Sequence, residues 1–468
     1  MRKTKKGLVA VLAVSMTMGM LTGCGSSTKE ETKAETKAET KAETKATEAI
    51  KAEPAGTESV GEEINLRFLS WLSSYEELDK KVAEEYKKEH PNVNVTFEYY
   101  GDMSSKDYNT KVDLMTMGGE KMDILMTSGF PGLAQRANSG AYLPMDEYLE
   151  KEGIKAEEAY VFAPKVNDHI YGVPGDLKSY VVLLNKDYLD EAGLPVPNLD
   201  WTWDDYREYA KKMTTGEGAN KRYGSYLHSW DTYDYLGMWS VCENNPIYKE
   251  DMSGVNFDHP VFKDWVQFRY NLENVDKTSV PYGEIKSMNI SYRDKFFNGE
   301  VAMLPVATFI LAELDDVDKY PHDFVTTFAP IPAWKDAESG RTYTEAQYYA
   351  ISKTSEHPQE AYDFIRYYTT EGMRLRGVSI SAENGINKMD FVENLLDDPS
   401  YVDMDALSNV LNNPKWYDIV YTNVPSYNTE MTNLMLEEVS KFLLDSESLD
   451  QVIQSLMEKG TKIMQDNK

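Results

Sequence analysis

The chain has 468 residues, 78 of them acidic against 49 basic, for a net charge of −29, and it holds two cysteines. That length exceeds one compact α/β layer and predicts two lobes. The charge argues against a nucleic-acid partner and against adhesion to anionic lipid, and two cysteines are too few for a disulfide-built fold.

The first residues carry an address. Arg2, Lys3, Lys5 and Lys6 precede an apolar run from Leu8 to Leu21, too short for a permanent membrane span but suited to a signal peptide. It ends in Leu21-Thr22-Gly23-Cys24, which resembles the lipobox of bacterial lipoproteins. Residues 1–23 are therefore read as a lipoprotein signal peptide and Cys24 as the lipidated cysteine, anchoring the protein to the outer face of the cell membrane. With Cys24 acylated no internal disulfide remains, and the lone Cys242 is read as a buried filler. Residues 24–61 form a tether in which Glu-Thr-Lys-Ala repeats four times over 31–46. So few large apolar residues cannot offset ordering entropy, and a spacer of this kind suits a thick, Gram-positive-like wall.

From residue 62 the pattern alternates. Ile64–Ser70 reads as a strand, 74–89 as a helix ended by His90-Pro91, and 93–99 as a strand. Ser104–Met117 is helical, and Met122–Thr127 is an apolar run fit for a buried parallel strand. Strand character returns at 179–184 and 301–304, with helices at 202–213, 260–273 and 287–298, and the run 233–242 looks helical. Beyond His357 the chain is largely helical. Trp201-Thr202-Trp203-Asp204-Asp205 has the form of a helix start, with Thr202 as the cap. The predicted class is α/β, each lobe a mostly parallel sheet flanked by helices.

In open α/β sheets ligands bind beyond the carboxyl ends of strands. Here those ends supply Ser70 and Trp71 with Tyr75 a turn later, Thr127 and Ser128 with Phe130 beyond, and Phe309 after the strand at 301–304. No Ser-His-Asp signature or phosphate loop appears, and the six histidines lack ligand spacing; His90, His259 and His357 each precede a proline. No cofactor, metal or catalytic residue is expected.

A series of motifs resembles the extracellular solute-binding proteins of ABC importers, family 1, the group that contains maltose-binding protein. In family order come Glu85 to Val95, Met122-Asp123-Ile124, the turn Gly140 to Asp146, and Ile170-Tyr171-Gly172-Val173-Pro174 leading to Leu184-Asn185-Lys186-Asp187. Trp201 to Asp205, Phe297 to Met303, and Ala350 to Lys353 with His357 to Ala361 complete the set. The resemblance covers roughly 62–375. It implies a type II clamshell whose lobes the chain crosses three times, near 179–184, 301–306 and 347–352. The first lobe would hold 62–181 plus 305–348, the second 182–304 plus 349–468.

The resemblance further implies a monomer that closes on a solute and presents it to ABC permease subunits with their ATPase. Thirty-two tyrosines and eight tryptophans favour a sugar, whose C–H faces stack on rings while its hydroxyls hydrogen-bond. Trp230 sits where the family places a stacking aromatic, within a stretch that also holds Tyr233, Tyr235 and Trp239. Asp176 matches a hydroxyl-accepting position, and Tyr180 opens the first crossing. Tyr348 and Tyr349 replace small residues at the third crossing, and Phe309 replaces a frequent tryptophan. Lys178 and Arg293 are basic residues able to meet an acidic sugar. Left open are the same fold binding a peptide or polyamine, a surface sensor, and a lipid-anchored glycan-active enzyme.

Overall fold

The computed structural model describes residues 62–101 and 104–467. The signal, Cys24 and the tether lie outside the described residues. Strand β1 (Ile64–Ser70) pairs in parallel with β2 (Val93–Tyr99) and β3 (Ile124–Ser128). Helices α1 (Glu76–Glu89) and α2 (Ser105–Met117) connect them, and α3 (Gly129–Asn138) leaves β3 directly. Ser104 caps α2 by accepting from Asp107 N–H, satisfying one of the orphan donors of the first turn.

Two long strands organise the rest: β4 (Val173–Asn185) and β7 (Arg341–Ile351). The first half of β4 runs antiparallel to β7. From Tyr180 onward it pairs instead with β5 (Met303–Ala307) and β6 (Thr326–Pro330). Strand β7 in turn pairs with β3, and its first three residues pair with β9 (Tyr417–Ile419). A two-residue strand, β8 (Ile380–Ser381), pairs with β4 at Asp176 and Leu177. The α/β class holds, but the parallel pairing predicted for both lobes does not. Among the described strand pairs three are parallel and five antiparallel. The physical reason is that β3, β5, β6 and β8 all run against the long strands β4 and β7, which also run against each other, and only β9 joins β7 in parallel.

Alternation along β4 divides two hydrophobic cores. Val181 and Leu183 enter one with Leu66, Phe68 and Leu125, while Val182 and Leu184 enter the other with Trp203, Trp239 and Trp265. Helix 358–367 packs on the first core, with Phe364 6.1 Å from Phe68, whereas the helices Asn428–Leu443 and Leu449–Asp466 pack into the second. Strand β6 hydrogen-bonds to 181–185, and helix 358–367 sits against β1.

Local signals fare better. Thr202 accepts from Asp205 N–H and the Asp205 carboxylate accepts from Thr202 N–H, a full capping box on Trp203–Met213. The helix expected over 287–298 is two, Tyr282–Met288 and Tyr292–Phe297, parted by Asn289 at φ +49°. The run 233–242, expected as a helix, forms two short 3-10 turns. Among the described residues no helix is long and apolar enough to cross a membrane. Nor does any group of three or more His, Cys, Asp or Glu stand where it could hold a metal. Cys242 is buried, and burial pushes its thiol up to about 12.

Candidate functional site: a cleft between the strand ends and the C-terminal segment

The carboxyl ends of β1, β3 and β5 converge on β4 and β7 around a cavity of about 590 Å³. One wall carries Trp71 and Tyr75 past β1, Ser128 at the end of β3, and Asp176 and Lys178 on β4. Arg376 joins that wall, its guanidinium over the Tyr75 ring at 5.2 Å, and further lining comes from Trp230 to Thr232, Tyr235 and Asn245, together with Tyr421 and Asn428 from the C-terminal part of the chain. A second cavity of about 420 Å³ shares Ser105, Ser128, Pro131 and Asn428 with the first, so the cleft continues along α2 and α3.

Its polar groups are held in place by the protein. Gln347 N–H donates to Asp176 Oδ1 at 2.9 Å, and Lys178 Nζ stands 3.6 Å from Asp176 Oδ2. With its amide oriented to satisfy both neighbours, Gln347 completes the triad, donating to Asp176 Oδ2 at 3.2 Å and accepting from Lys178 Nζ at 2.6 Å. Arg293 grips Glu313 with two parallel bonds, 2.6 and 2.7 Å, and its guanidinium lies over the Tyr292 ring. Arg376, almost wholly buried, forms an ion pair with Asp79, Nε standing 2.8 Å from Oδ1, while among the described residues neither Nε nor Nη2 has a hydrogen-bond partner. Asp79 also accepts from the hydroxyls of Tyr99 and Tyr368 at 2.8 and 2.7 Å. Burial raises the carboxyls of Asp231 and Glu345, with Lys178 opposing the shift at Glu345.

The aromatic surface has two parts. Trp230 is 36% exposed, the only lining tryptophan so open, and rests on His228 at 4.0 Å between ring centroids and on Tyr292 at 5.5 Å. Burial, aided by the nearby Arg269 charge, holds His228 down at about 3, so the ring beneath Trp230 is neutral. Tyr180, whose hydroxyl stands 3.4 Å from Thr232 Oγ1, lines the cavity with Tyr343 and Tyr421 in a continuous series: Tyr180 is 6.1 Å from Tyr343, which stacks on Tyr421 at 4.3 Å.

Seven of the fourteen residues proposed from sequence line this cavity: Trp71, Tyr75, Ser128, Asp176, Tyr180, Trp230 and Phe309. Seven do not, and each has another partner. Ser70 Oγ accepts from Leu72 N–H, and Thr127 Oγ1 meets the Tyr142 hydroxyl at 2.7 Å. Phe130 is buried near Tyr348. The Tyr233 hydroxyl donates to Pro305 O, and Trp239 Nε1 donates to the Tyr421 hydroxyl at 2.8 Å. Tyr348 and Tyr349 are core residues. Tyr349 lies so close beneath Gly175 that a Cβ there would fall 2.4 Å from the ring.

On β7 the lining residues are Tyr343, Glu345 and Gln347, two apart along one face, which period-2 counting finds once one of them is fixed. Tyr235, Arg376, Tyr421 and Asn428 carry no local signal that marks them.

A family profile described as bacterial extracellular solute-binding protein matches residues 70–374. An arabinooligosaccharide-binding protein from Halalkalibacterium halodurans is 25% identical over 259 residues, 53% of this chain and 54% of the relative. An sn-glycerol-3-phosphate-binding periplasmic protein from Escherichia coli K12 is 23% identical over 265 residues, 53% of this chain and 58% of its own length. The chain thus spans about half the length of the curated relatives it matches. Among solved structures, a sugar transporter from Rhizobium etli in an open conformation superposes with a TM-score of 0.71 at 23% identity, over 85% of this chain and 99% of that one. A Listeria monocytogenes ABC substrate-binding protein in complex with cycloalternan gives 0.69 at 20% identity, over 86% and 99%. Both likenesses are to the type II binding-protein fold. With a profile match covering well over half its length, the chain belongs to the family of bacterial extracellular solute-binding proteins.

Proposed function

We propose that this protein captures an oligosaccharide outside the cell and delivers it to the permease subunits of an ABC importer, acting as a binder and not as an enzyme. One observation carries the reading: a half-exposed tryptophan and a wall of tyrosines face oriented hydrogen-bonding groups across one cavity. Rings for C–H faces and fixed polar groups for hydroxyls are what a glycan needs. The volume of about 590 Å³ suits a small ligand, and the adjoining cavity gives room for a chain of several sugar units. Relatives named for arabinooligosaccharide and for cycloalternan binding support the same class.

Capture by closure would use the partner changes on the long strands. We place the lobe boundaries at Ser179/Tyr180 on β4, Ala307/Thr308 after β5, and Tyr343/Thr344 on β7. Around the first and third, Thr344 Oγ1 and Ser179 Oγ stand 2.8 Å apart, and both hydroxyls lie within hydrogen-bond reach of Asp418 Oδ1. Closure about these strands would bury the solute against both walls. The lipobox-like Leu21 to Cys24 supports anchoring by a lipid on Cys24 at the outer membrane face, with the protein working as a monomer.

Thermal unfolding against a panel of mono- and oligosaccharides, with peptides and polyamines alongside, tests the function. A ligand at about 100 times its Kd adds roughly 2.7 kcal/mol of stability. A selective shift by one glycan series supports the reading. A shift by peptide or polyamine alone overturns it while leaving the family assignment intact. Loss of lipid labelling and release into the medium in Cys24→Ser would test the anchor.

A further inference from the structure

Building on that carbohydrate reading, we propose that the cleft selects uncharged glycans and turns away phosphorylated or uronic ones, because each cation lining it is already matched by the protein. Proteins bind anionic ligands with open arginine forks and with the N-terminal ends of helices. Here each lining cation stands beside a carboxylate of the protein, and among these cations only Arg376 keeps a donor, Nη2, without a partner. Glu313 takes two donors of Arg293, at 2.6 and 2.7 Å. Asp79 stands 2.8 Å from Arg376 Nε. Lys178 sits between Asp176 and the Gln347 amide oxygen.

The helix end is filled as well. Glu345 Oε1 lies against Gly129, the first residue of α3, so closely that a Cβ on that glycine would stand 2.6 Å from it. Gly129 also has φ +65°, so the position favours glycine twice over. Glu345 and Asp231 both line the cavity, and among the described residues neither forms an ion pair. An entering phosphate would have to compete with Glu313 for Arg293 and would face these two carboxyls in a partly desolvated space. A hydroxyl meets no such opposition. It donates to Glu345 or Asp231 and accepts from Arg376 Nη2, the buried donor that lacks a protein partner.

Calorimetric titration of the full chain decides the matter, with neutral arabino-, malto- and manno-oligosaccharides on one arm and sn-glycerol 3-phosphate and oligogalacturonate on the other. One neutral series should bind at least about 100-fold more tightly than either anion, and its Kd should change less than about twofold between roughly 0.05 and 0.5 M salt. Glu313→Gln releases the Arg293 fork and should strengthen glycerol phosphate binding by about tenfold or more. Glu345→Gln, which leaves the arginine pairs intact, should move it the same way, and melting curves establish that each variant is folded. Anion binding by the wild type as tight as that of any neutral sugar overturns the selection, and so does a folded pair of variants neither of which gains affinity for the anion. If glycans of both kinds fail while a peptide or polyamine binds, the carbohydrate reading falls, and the selection with it.

Discussion

The two walls of the cleft are built in different ways. The first comes from strand ends: Trp71 after β1, Ser128 at the end of β3, and Asp176 and Lys178 on β4, each set by period-2 alternation and by its place at a carboxyl edge. The second comes from irregular turns at 231–247 and from Tyr421, Asn428 and Thr432, beyond the stretch matched by the family profile. The difference teaches that scaffold and ligand contacts need not share a source. A regular sheet edge supplies the floor, while the segment outside the match brings Arg376, Tyr421 and Asn428 to the same cavity.

The comparison breaks first at Arg376. Replacing it by Met removes the cation beside buried Asp79, and it should cost about 3 kcal/mol or more of stability by urea unfolding, along with glycan binding. Asp79 also accepts from Tyr99 and from Tyr368 of the first core, so the loss would spread through the first wall. The tryptophans should then separate the walls. Trp71 is only 4% exposed and packs on Tyr108 at 5.1 Å, so Trp71→Ala should destabilise the fold by about 3 kcal/mol. Trp230→Ala should change stability by less than about 1 kcal/mol yet weaken ligand binding by about 2 kcal/mol, roughly thirtyfold in Kd. Equal stability losses in the two variants would erase the distinction.

A smaller effect is pH-dependent. His228 is held near 3 in the fold, against an ordinary value of 6.5, so the unfolded chain binds a proton that the folded chain refuses. Its contribution therefore destabilises progressively as pH falls through 6.5 toward 3, reaching about 2 kcal/mol at pH 5. His228→Asn should flatten the acid limb of the stability profile by about that amount, measured against the wild type at each pH. The smallest expectation concerns Cys242: its buried, raised thiol should resist maleimide in the native protein at pH 7 and react after denaturation.

The order of strands and helices from Ile64 to Ser128 is legible because each element carries its own periodicity and its own stop, such as His90-Pro91 or the Ser104 cap. The pairing of β4 is not legible, because a strand that serves two sheets looks like any apolar run. The same limit explains the site. Tyr233 and Tyr235 stand two apart in one stretch, yet the first sends its hydroxyl to Pro305 O while the second reaches the cavity. Which ring is core depends on neighbours more than seventy residues away, and local pattern holds no record of them. Trp230, Asp176 and Phe309 line the cavity at positions that family order marks. Tyr348 lies on the other face of β7 from 343, 345 and 347, while Tyr349 shares their parity but packs against Phe68 and Tyr368.

Strand β4 has a consequence for how the molecule comes apart. Its consecutive residues Val181 to Leu184 alternate between two separate cores, so neither core can melt without stripping one face of the strand on which the other is built. The described residues should therefore lose structure in one cooperative step, with calorimetric and van't Hoff enthalpies that agree despite the two cores. A ligand that grips only one wall would then raise the melting temperature of the whole.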